Sequence, residues 1–369
     1  MQIRLEVEYW TVERDGSLAT ADPVAADCEF VDREFADPLV EVKTPPCESV
    51  AALARTLGNR LATVREVARS HGLWLVPLGT PLTPDPVARR RSDRIDVQRA
   101  VLGDALDHAA RCAGTHVHFE QVDAAEQLRV LTALDPAIAL VNTSPYYRGR
   151  RLATCARPHA YRRLCYGAAP ELGQLWKYPE SAAAWRDRVE NCYERFVASA
   201  TDRPDTDREA VDAAFSPADA VWTPVRLRDD LGTVEWRAPD AAPPLAVCRL
   251  VADAERLVRA AVERGTAVGT DDGGDRLALP SFDRLRDLVD AAVAAGLSAP
   301  AVASYLDGLG VDTDAYRPPG ARIDGRRRVG ASAAKRLRRR AADALLADLE
   351  ALRADGLDAL STGDEAVPA

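Results

Sequence analysis

Alternating apolar and polar residues predict the strands of this chain, and apolar residues at helical spacing predict its helices. In residues 2–12, Leu5, Val7 and Tyr9 fall on one face and Glu6 and Glu8 on the other, as the two-residue period of a strand requires. Further strands are predicted at 27–32, 38–44, 73–80, 115–120, 220–228 and 233–239. Helices are predicted at 48–71, 96–112, 124–142, 159–166, 181–200, 243–264, 281–295, 298–308 and 332–354.

The order of these elements shows no regular strand–helix–strand rhythm, which favours an α+β fold with an antiparallel or mixed sheet. We expect one catalytic domain over residues 1–357, with a helical C-terminal part from about 280 to 357. Residues 358–369 are predicted to form a flexible tail.

Composition limits which class of protein this chain belongs to, but it says little about the reaction. Of 369 residues, 47% are hydrophobic and 28% charged, as in a soluble globular protein, and no apolar run approaches 18 residues. We therefore expect no membrane partner and no secretory signal. Seven cysteines without a CxxC pair indicate a reduced, cytoplasmic protein.

The net charge of −9 argues against nucleic acid as a partner, and the basic segment 325–342 is predicted to be a solvated helix face or a lid near a nucleotide site. The sequence leaves open whether the chain forms a homo-oligomer.

Charged or imidazole side chains occupy one face of each of five predicted strands. These residues are Glu6, Glu8, Glu41, Lys43, His116, His118, Arg226, Arg228, Glu235 and Arg237. Glutamate is disfavoured in strands, so its repeated placement there indicates a shared polar site in preference to plain solvent exposure.

Several carboxylates with two imidazoles suit Mg²⁺ or Mn²⁺, and neighbouring arginines suit phosphate oxygens. The pattern is therefore typical of a site for a nucleotide and its metal ion, although the sequence has neither a GxxxxGK[ST] loop nor a dinucleotide-binding fingerprint. A zinc hydrolase is the alternative metal site, but it normally needs more histidines than the one, His159, that follows His118.

Five motifs, taken in order, resemble the glutamate–cysteine ligase family. They are Glu6-Val7-Glu8, "VEVKTPP" (40–46), "GTHVHF" (114–119), "NTSPYYRG" (142–149) and "TVEWRAPD" (233–240). Within that family the chain is similar to the bacterial and archaeal carboxylate–amine ligases, and it is distantly similar to glutamine synthetase. The resemblance implies a curved, mostly antiparallel sheet that forms an active-site funnel, with helices packed on its outer face as in glutamine synthetase and guanidino kinases.

The resemblance also implies roles for individual residues. The implied metal ligands are Glu6, Glu8, Glu41, His116 and Glu235; the implied ATP or phosphate contacts are His118, Arg226 and Arg237; and the implied substrate contacts are Asn142, Arg148, Arg151 and Arg157. Arg237, Glu235 and Glu8 are the candidate catalytic residues. The stretch "TCARPHAYR" departs from the family pattern, so the identity of the substrate stays open.

The resemblance implies that the protein is a ligase that depends on ATP and on Mg²⁺ or Mn²⁺ and joins a carboxylate to an amine. Glutamate and cysteine are the leading pair of substrates, joined through a γ-glutamyl phosphate. The alternatives are a family member with another amine, a guanidino-type phosphotransferase, and a binding protein without turnover.

Overall fold

The computed structural model describes residues 1–270 and 273–355 of the chain. The predicted tail, 358–369, lies outside these described residues, so its flexibility stays a prediction.

Within residues 1–270 and 273–355, seven strands form one open antiparallel sheet. The strands of the chain are β1 (Ile3–Glu13), β2 (Val31–Arg33), β3 (Leu39–Lys43), β4 (Leu73–Val76), β5 (Thr115–Glu120), β6 (Tyr146–Tyr147), β7 (Arg150–Arg151), β8 (Val225–Arg228), β9 (Thr233–Trp236), β10 (Thr266–Val268) and β11 (Leu277–Leu279). The sheet order is β2–β3–β1–β5–β9–β8, and β4 pairs with the C-terminal end of β1. The strands β6 with β7 and β10 with β11 form two separate small sheets.

Helices pack on the large sheet and around it. They are α1 (Asp22–Ala26), α2 (Val50–Ser70), α3 (Asp93–Leu102), α4 (Ala124–Ala133), α5 (Ala156–His159), α6 (Pro170–Gly173), α7 (Ala182–Thr201), α8 (Arg208–Ala214), α9 (Pro244–Arg264), α10 (Phe282–Ala295), α11 (Pro300–Gly308) and α12 (Ala331–Asp355). Leu5, Val7 and Tyr9 of β1 are fully buried in the core on the face where α2, α4 and α9 pack. The α+β class and the antiparallel sheet with helices on one face are therefore confirmed.

Two predicted helices are shorter than the apolar spacing indicates. The predicted helix 96–112 is α3 followed by a 3₁₀-helix from Gly103 to Arg111, because the chain turns at Gly103 with a φ of 56°. The predicted helix 124–142 ends at Ala133, and Pro136, which has no amide hydrogen to donate, lies in the 3₁₀-helix that follows. The predicted loop 142–158 contains the β6–β7 hairpin.

Among the described residues, no single helix has the length and apolar composition to cross a membrane. The segments Phe282–Ser298 and Pro300–Gly308 meet that test only as a pair, and they are bent by 101° at their junction.

Candidate active site

Strand register brings the predicted acids and histidines together on the face of the sheet opposite the core. Glu6 of β1 lies across from Lys43 on β3 and from His116 on β5. Glu8 lies across from Glu41. The next pairings along the sheet set His118 of β5 opposite Glu235 of β9, and Glu235 opposite Arg226 of β8. A two-residue period on each strand thus becomes a continuous polar surface across five strands.

We call Glu6, Glu8, Glu41, His116, His118 and Glu235 the acidic floor. His116 lies at its centre: its Nδ1 atom is 3.4 Å from Glu6 Oε2, 3.6 Å from Glu41 Oε1 and 3.8 Å from Glu235 Oε1. Its Nε2 atom is 3.6 Å from Glu8 Oε1. One imidazole therefore faces four carboxylates, an arrangement that repels itself unless positive charge is present.

His118 presents a nitrogen to the same carboxylates. The Thr233 hydroxyl lies 3.1 Å from His118 Nδ1, which holds the ring and turns Nε2 toward Glu6 Oε2 at 3.5 Å and Glu235 Oε1 at 3.8 Å. Within the described chain, neither His118 Nε2 nor Glu235 Oε2 has a hydrogen-bond partner, although both atoms are buried. A buried polar atom without a hydrogen-bond partner lowers the stability of the fold, and these two atoms belong to side chains that lie next to each other.

A divalent cation fits these donors. Three overlapping groups offer ligand atoms within 4.8 Å of one another: Glu6–His118–Glu235, Glu6–Glu41–His116, and Glu8–Glu34–Glu41. Carboxylate-rich donor sets favour Mg²⁺ or Mn²⁺ over Zn²⁺, which prefers nitrogen and sulfur. The orphaned atoms of His118 and Glu235 are the donors that such an ion would satisfy.

The acids of the floor differ in how readily they ionise. Burial, together with the nearby Glu41, raises the pKa of Glu8 to about 7, and burial together with Glu8 raises the pKa of Glu34 to about 8. The pKa of Glu41 is raised well above its usual value by burial and by Glu34. Burial acts in the same direction on Glu235, but the charges of Arg237 and Arg226 outweigh it and lower the pKa of Glu235. The Glu8 end of the floor therefore holds protons near neutral pH, whereas the Glu235 end is ionised.

A cavity of about 550 Å³ lies above the floor, and arginines line it. We call these residues the arginine wall: Arg33, Arg90, Arg91, Arg94, Arg157, Arg162, Arg226, Arg228 and Arg237. Floor and wall meet at Glu235, whose Oε1 accepts a hydrogen bond from Arg237 Nη1 and whose Oε2 lies 3.6 Å from Arg226 Nη1. A cavity with carboxylates below and guanidinium groups around it can hold a metal ion and the phosphates of a nucleotide side by side.

Arg157 enters the cavity from α5 and lies flat against Gly114. Its guanidinium donates to the carbonyl oxygen of Ala238 at 3.0 Å, while its Nε atom has no partner within residues 1–270 and 273–355. A Cβ atom added at Gly114 would overlap Arg157 Nη2 and lie 2.8 Å from Cζ, so this position admits only glycine without displacing the arginine. The Gly114 amide also donates to Glu8 Oε2 at 2.6 Å. Gly114 thus contacts both Glu8 of the floor and Arg157 of the wall.

Three predicted substrate residues do not line this cavity. Asn142 is buried and donates to the Ala139 carbonyl at 2.9 Å. Arg148 is exposed at the tip of the β6–β7 hairpin with a φ of 47°, and Arg151 forms a bidentate ion pair with Asp324. The structure therefore does not bring these three residues to the floor, and their contact with substrate stays a prediction that the cavity does not support.

The basic segment 325–342 is likewise away from the cavity. Arg328 pairs with Arg150 beside the hairpin, and α12 packs against α2 and β4. In the described part of the chain, none of its residues lines the 550 Å³ cavity.

Sequence reasoning missed Glu34 and part of the wall. Glu34 follows β2 and completes a possible ligand group with Glu8 and Glu41. Arg90, Arg91 and Arg94 lie in the proline-rich connection and at the start of α3. The run of three arginines at 89–91 was the available signal, but a connection without periodicity gives no direction for its side chains.

Known proteins are similar in sequence to most of this chain. A model of the glutamate–cysteine ligase family 2 matches residues 6–299. The chain belongs to this family. A protein named "Putative glutamate--cysteine ligase 2-3" from Rubrobacter xylanophilus is 32% identical over 222 residues, which cover 56% of this chain and 53% of that protein. A "Putative glutamate--cysteine ligase 2" from Gloeobacter violaceus is 26% identical over 58% of this chain and 53% of its own length. The chain spans about half the length of these two family members.

Solved structures of related ligases share the fold. A glutamate–cysteine ligase from Francisella tularensis in complex with AMP aligns over 100% of this chain and 95% of its own, with a TM-score of 0.53 and 15% identity. A bifunctional glutathione synthetase from Pasteurella multocida aligns over 98% of this chain and 55% of its own, with a TM-score of 0.53 and 16% identity. At these identities the likeness supports the fold alone.

Proposed function

We propose that this family member is an ATP- and Mg²⁺-dependent carboxylate–amine ligase, with glutamate and cysteine as its leading substrates. The observation that carries the proposal is the acidic floor, with the orphaned His118 Nε2 and Glu235 Oε2 atoms, beneath the arginine wall. The floor suits a divalent cation and the wall suits phosphate and carboxylate oxygens. The AMP bound to the Francisella ligase, which shares the fold, adds support for a nucleotide.

The chemistry requires activation because a carboxylate is a poor electrophile. A carboxylate oxygen of glutamate attacks the γ-phosphorus of ATP, and the bond to the bridging oxygen breaks, so that ADP leaves. The amine of the second substrate then attacks the acyl carbon, inorganic phosphate leaves with the electrons of the C–O bond, and the nitrogen loses a proton to give the amide. Positioning and charge neutralisation account for most catalysis of phosphoryl transfer.

Each half of the cavity has a part in this scheme. Glu6, Glu8, Glu41, His116 and Glu235 would hold Mg²⁺, which when bound neutralises charge on phosphate oxygens. Arg237 and Arg226 would face the transferred phosphoryl group, with His118 beside them, and Glu235 fixes both arginines by direct contact. Arg157, buried and with its Nε atom available, would bind the substrate carboxylate.

The cysteines argue for a ligase over a guanidino-type phosphotransferase, which normally uses a reactive thiol. All seven cysteines lie in the described residues and are buried. Cys112 is the one that lines the described cavity, and burial raises the pKa of its thiol. A buried thiol with a raised pKa is a poor nucleophile.

The direct test is ADP release by the purified chain with Mg²⁺, ATP, glutamate and a panel of amines that includes cysteine. A ligase requires both the acid and the amine, a phosphotransferase requires only one acceptor, and a binding protein releases no ADP. Glu8→Gln and Glu41→Gln should abolish Mg²⁺-dependent release, because each removes a candidate ligand charge. Glu13→Gln, at the exposed end of β1, is the matched control and should turn over as the wild type does. Unchanged turnover in both floor variants would overturn the assignment.

A further inference from the structure

A second cavity, of about 510 Å³, lies behind the segment that carries Arg157. It is lined by Arg151, Leu152, Ala153, Pro158, His159, Arg162, Arg163, Gln174, Leu175, Arg286, Val289, Asp290, Val293 and Ala294. We call it the outer cavity and the 550 Å³ cavity above the floor the catalytic cavity.

Residues 157–166 form a thin partition between the two cavities. This segment comprises α5 and a π-helical turn from Ala160 to Cys165, a form of helix that is often found at functional sites. Arg157 and Tyr161 face the catalytic cavity, and His159 and Arg163 face the outer one. Pro158 and Arg162 line both. Occupants of the two cavities therefore lie against opposite faces of one segment and share Pro158 and Arg162 as neighbours.

The partition is anchored at Arg162. Asp135, which is fully buried, accepts two hydrogen bonds from the Arg162 guanidinium at 2.5 and 2.8 Å. This pair fixes the partition against the 3₁₀-helix at Asp135–Ala139 and neutralises Arg162. Charge available to a ligand in the outer cavity must therefore come from other residues.

The outer cavity offers hydrogen-bond donors, two of them guanidinium groups, and an apolar surface. The side chains of Arg286 in α10 and of His159 have no hydrogen bond or ion pair with any residue of the described chain, and both line the cavity. Arg163 pairs with Asp290 at 2.6 Å, but both side chains are more than half exposed, and such pairs are worth little and exchange partners readily. Leu152, Val289 and Val293 provide apolar contacts beside these groups.

We propose that the outer cavity binds a small organic anion, a carboxylate or phosphate with an apolar body, and that binding there weakens binding of the substrate carboxylate in the catalytic cavity. The second half of this inference rests on the proposed function. Arg286, Arg163 and His159 supply donors for an oxyanion, while the leucine and valine side chains cover the apolar body. Two anions on opposite faces of one thin partition repel, so the coupling is negative and reciprocal.

Binding is tested on the full chain without nucleotide, by titration calorimetry. The probes are 3-phenylpropionate and phenyl phosphate, which separate carboxylate from phosphate, and the neutral 3-phenylpropanamide. We expect saturable binding of at least one anion, none of the amide, and an affinity about 10-fold lower in Arg286→Ala, as for the loss of one hydrogen bond to a charged group. Arg284→Ala removes an arginine of the same helix that does not line the cavity, and it should bind as the wild type does.

Two results would overturn the site. One is the absence of saturable binding by either anion. The other is binding that survives Arg286→Ala unchanged and is lost in Arg237→Ala, which would place the anion in the catalytic cavity. Because this measurement needs no turnover, it decides the site even if the chain proves not to be a ligase.

Coupling is tested by steady-state kinetics with glutamate as the varied substrate. A saturating anion should raise KM for glutamate about 5-fold, at the lower end of typical couplings, with kcat unchanged. The effect should disappear in Arg286→Ala, whose KM and kcat without anion should equal those of the wild type. An anion that merely competes in the catalytic cavity would raise KM equally in Arg286→Ala, and that result would overturn the coupling.

Discussion

The acidic floor and the arginine wall enclose one cavity but are built from different kinds of backbone. The floor stands on β1, β3, β5 and β9, whose register sets four carboxylates within 3.8 Å of the His116 ring nitrogens. Much of the wall stands on the connection before α3, on α3 itself and on α5. Strand pairing fixes the floor rigidly, whereas the wall depends on how separate segments pack over it.

This difference assigns the two halves different tasks. A metal site requires fixed donors at short distances, which neighbouring strands provide. Recognition of a substrate carboxylate can vary between family members, and under the proposed function it falls on Arg157 of the partition segment 157–166, where we expect a departure from the family pattern. We therefore expect changes in the floor to abolish chemistry, and changes in the wall to alter affinity and specificity.

The junction of floor and wall should give the largest effect. Arg237→Ala removes the guanidinium bound to Glu235, whose side chain is 0% exposed, and leaves a buried carboxylate with less countercharge. We expect kcat to fall about 10²- to 10³-fold, as for the loss of one donor to a transition-state oxyanion. Urea unfolding should show a loss of about 3 kcal/mol, the usual cost of breaking a buried pair.

The matched control for that variant is Arg186→Ala. Arg186 pairs with Asp229 at 2.7 Å, but the two side chains are 47% and 51% exposed. Both kcat and stability should stay close to those of the wild type, because exposed pairs contribute little. Equal losses in the two variants would show that burial at the junction of floor and wall does not determine the role of Arg237.

Gly114→Ala separates the substrate arginine from the metal ligands. The new Cβ atom would overlap Arg157 Nη2, so the guanidinium must move away from the Ala238 carbonyl. A misplacement of about 1 Å can cost about 10²-fold, and we expect most of that loss in KM for glutamate. Mn²⁺ affinity, measured by electron paramagnetic resonance, should change little because the Gly114 amide can still donate to Glu8.

Gly308→Ala is the control for this change, since a Cβ at Gly308 meets no described atom within 4 Å. Its KM should match that of the wild type. A KM for Gly114→Ala that also matches would remove Arg157 from the substrate site.

The floor could be predicted from sequence because its residues follow one rule. Each acid or histidine alternates with a core residue, and antiparallel pairing of the strands brings the alternating positions together whatever the connections do. The wall follows no such rule. Arg90 and Arg91 come from a connection without periodicity, and Glu34 follows a strand of only three residues.

The polar motif at 142–149 shows the limit of reasoning from sequence. Its residues resemble a substrate site, yet Asn142 donates to the Ala139 carbonyl, and Tyr146 and Tyr147 form one strand of a hairpin that is too short to leave a periodic pattern. Backbone satisfaction and ligand binding use the same polar side chains, so sequence alone cannot separate them.

Titration of the floor should make the metal-free protein less stable as pH rises from 6.5 to 8. The pKa values of Glu8 and Glu34 are raised to about 7 and about 8, mainly by burial, so in this window the folded chain holds protons that the unfolded chain has already lost. Stability then falls with pH, by on the order of 2 kcal/mol across the window. Burial lowers the pKa of His116 to about 4, so this residue is neutral in both states over most of the window and contributes little.

The measurement is urea unfolding in EDTA at pH 6.5, 7.0, 7.5 and 8.0. Glu8→Gln and Glu34→Gln should each flatten the slope, since neither amide titrates. Added Mg²⁺ should restore stability most at pH 8, where more of these carboxylates are ionised than at pH 6.5. A slope that is the same in both variants and the wild type would show that these two acids do not carry the effect.

Thr233→Val should give the smallest effect and tests whether His118 belongs to the floor. The substitution keeps the shape of the side chain and removes the hydroxyl that lies 3.1 Å from His118 Nδ1. Loss of a partner that orients a ligand typically costs 10- to 100-fold in metal affinity, and we expect about 10-fold because carboxylates supply most of the donors. Titration with Mn²⁺ measures it, with Thr63→Val, an exposed threonine of α2, as the control. If Thr233→Val binds Mn²⁺ as tightly as the wild type does, the metal depends on the carboxylates around His116, and His118 serves the phosphate side of the cavity instead.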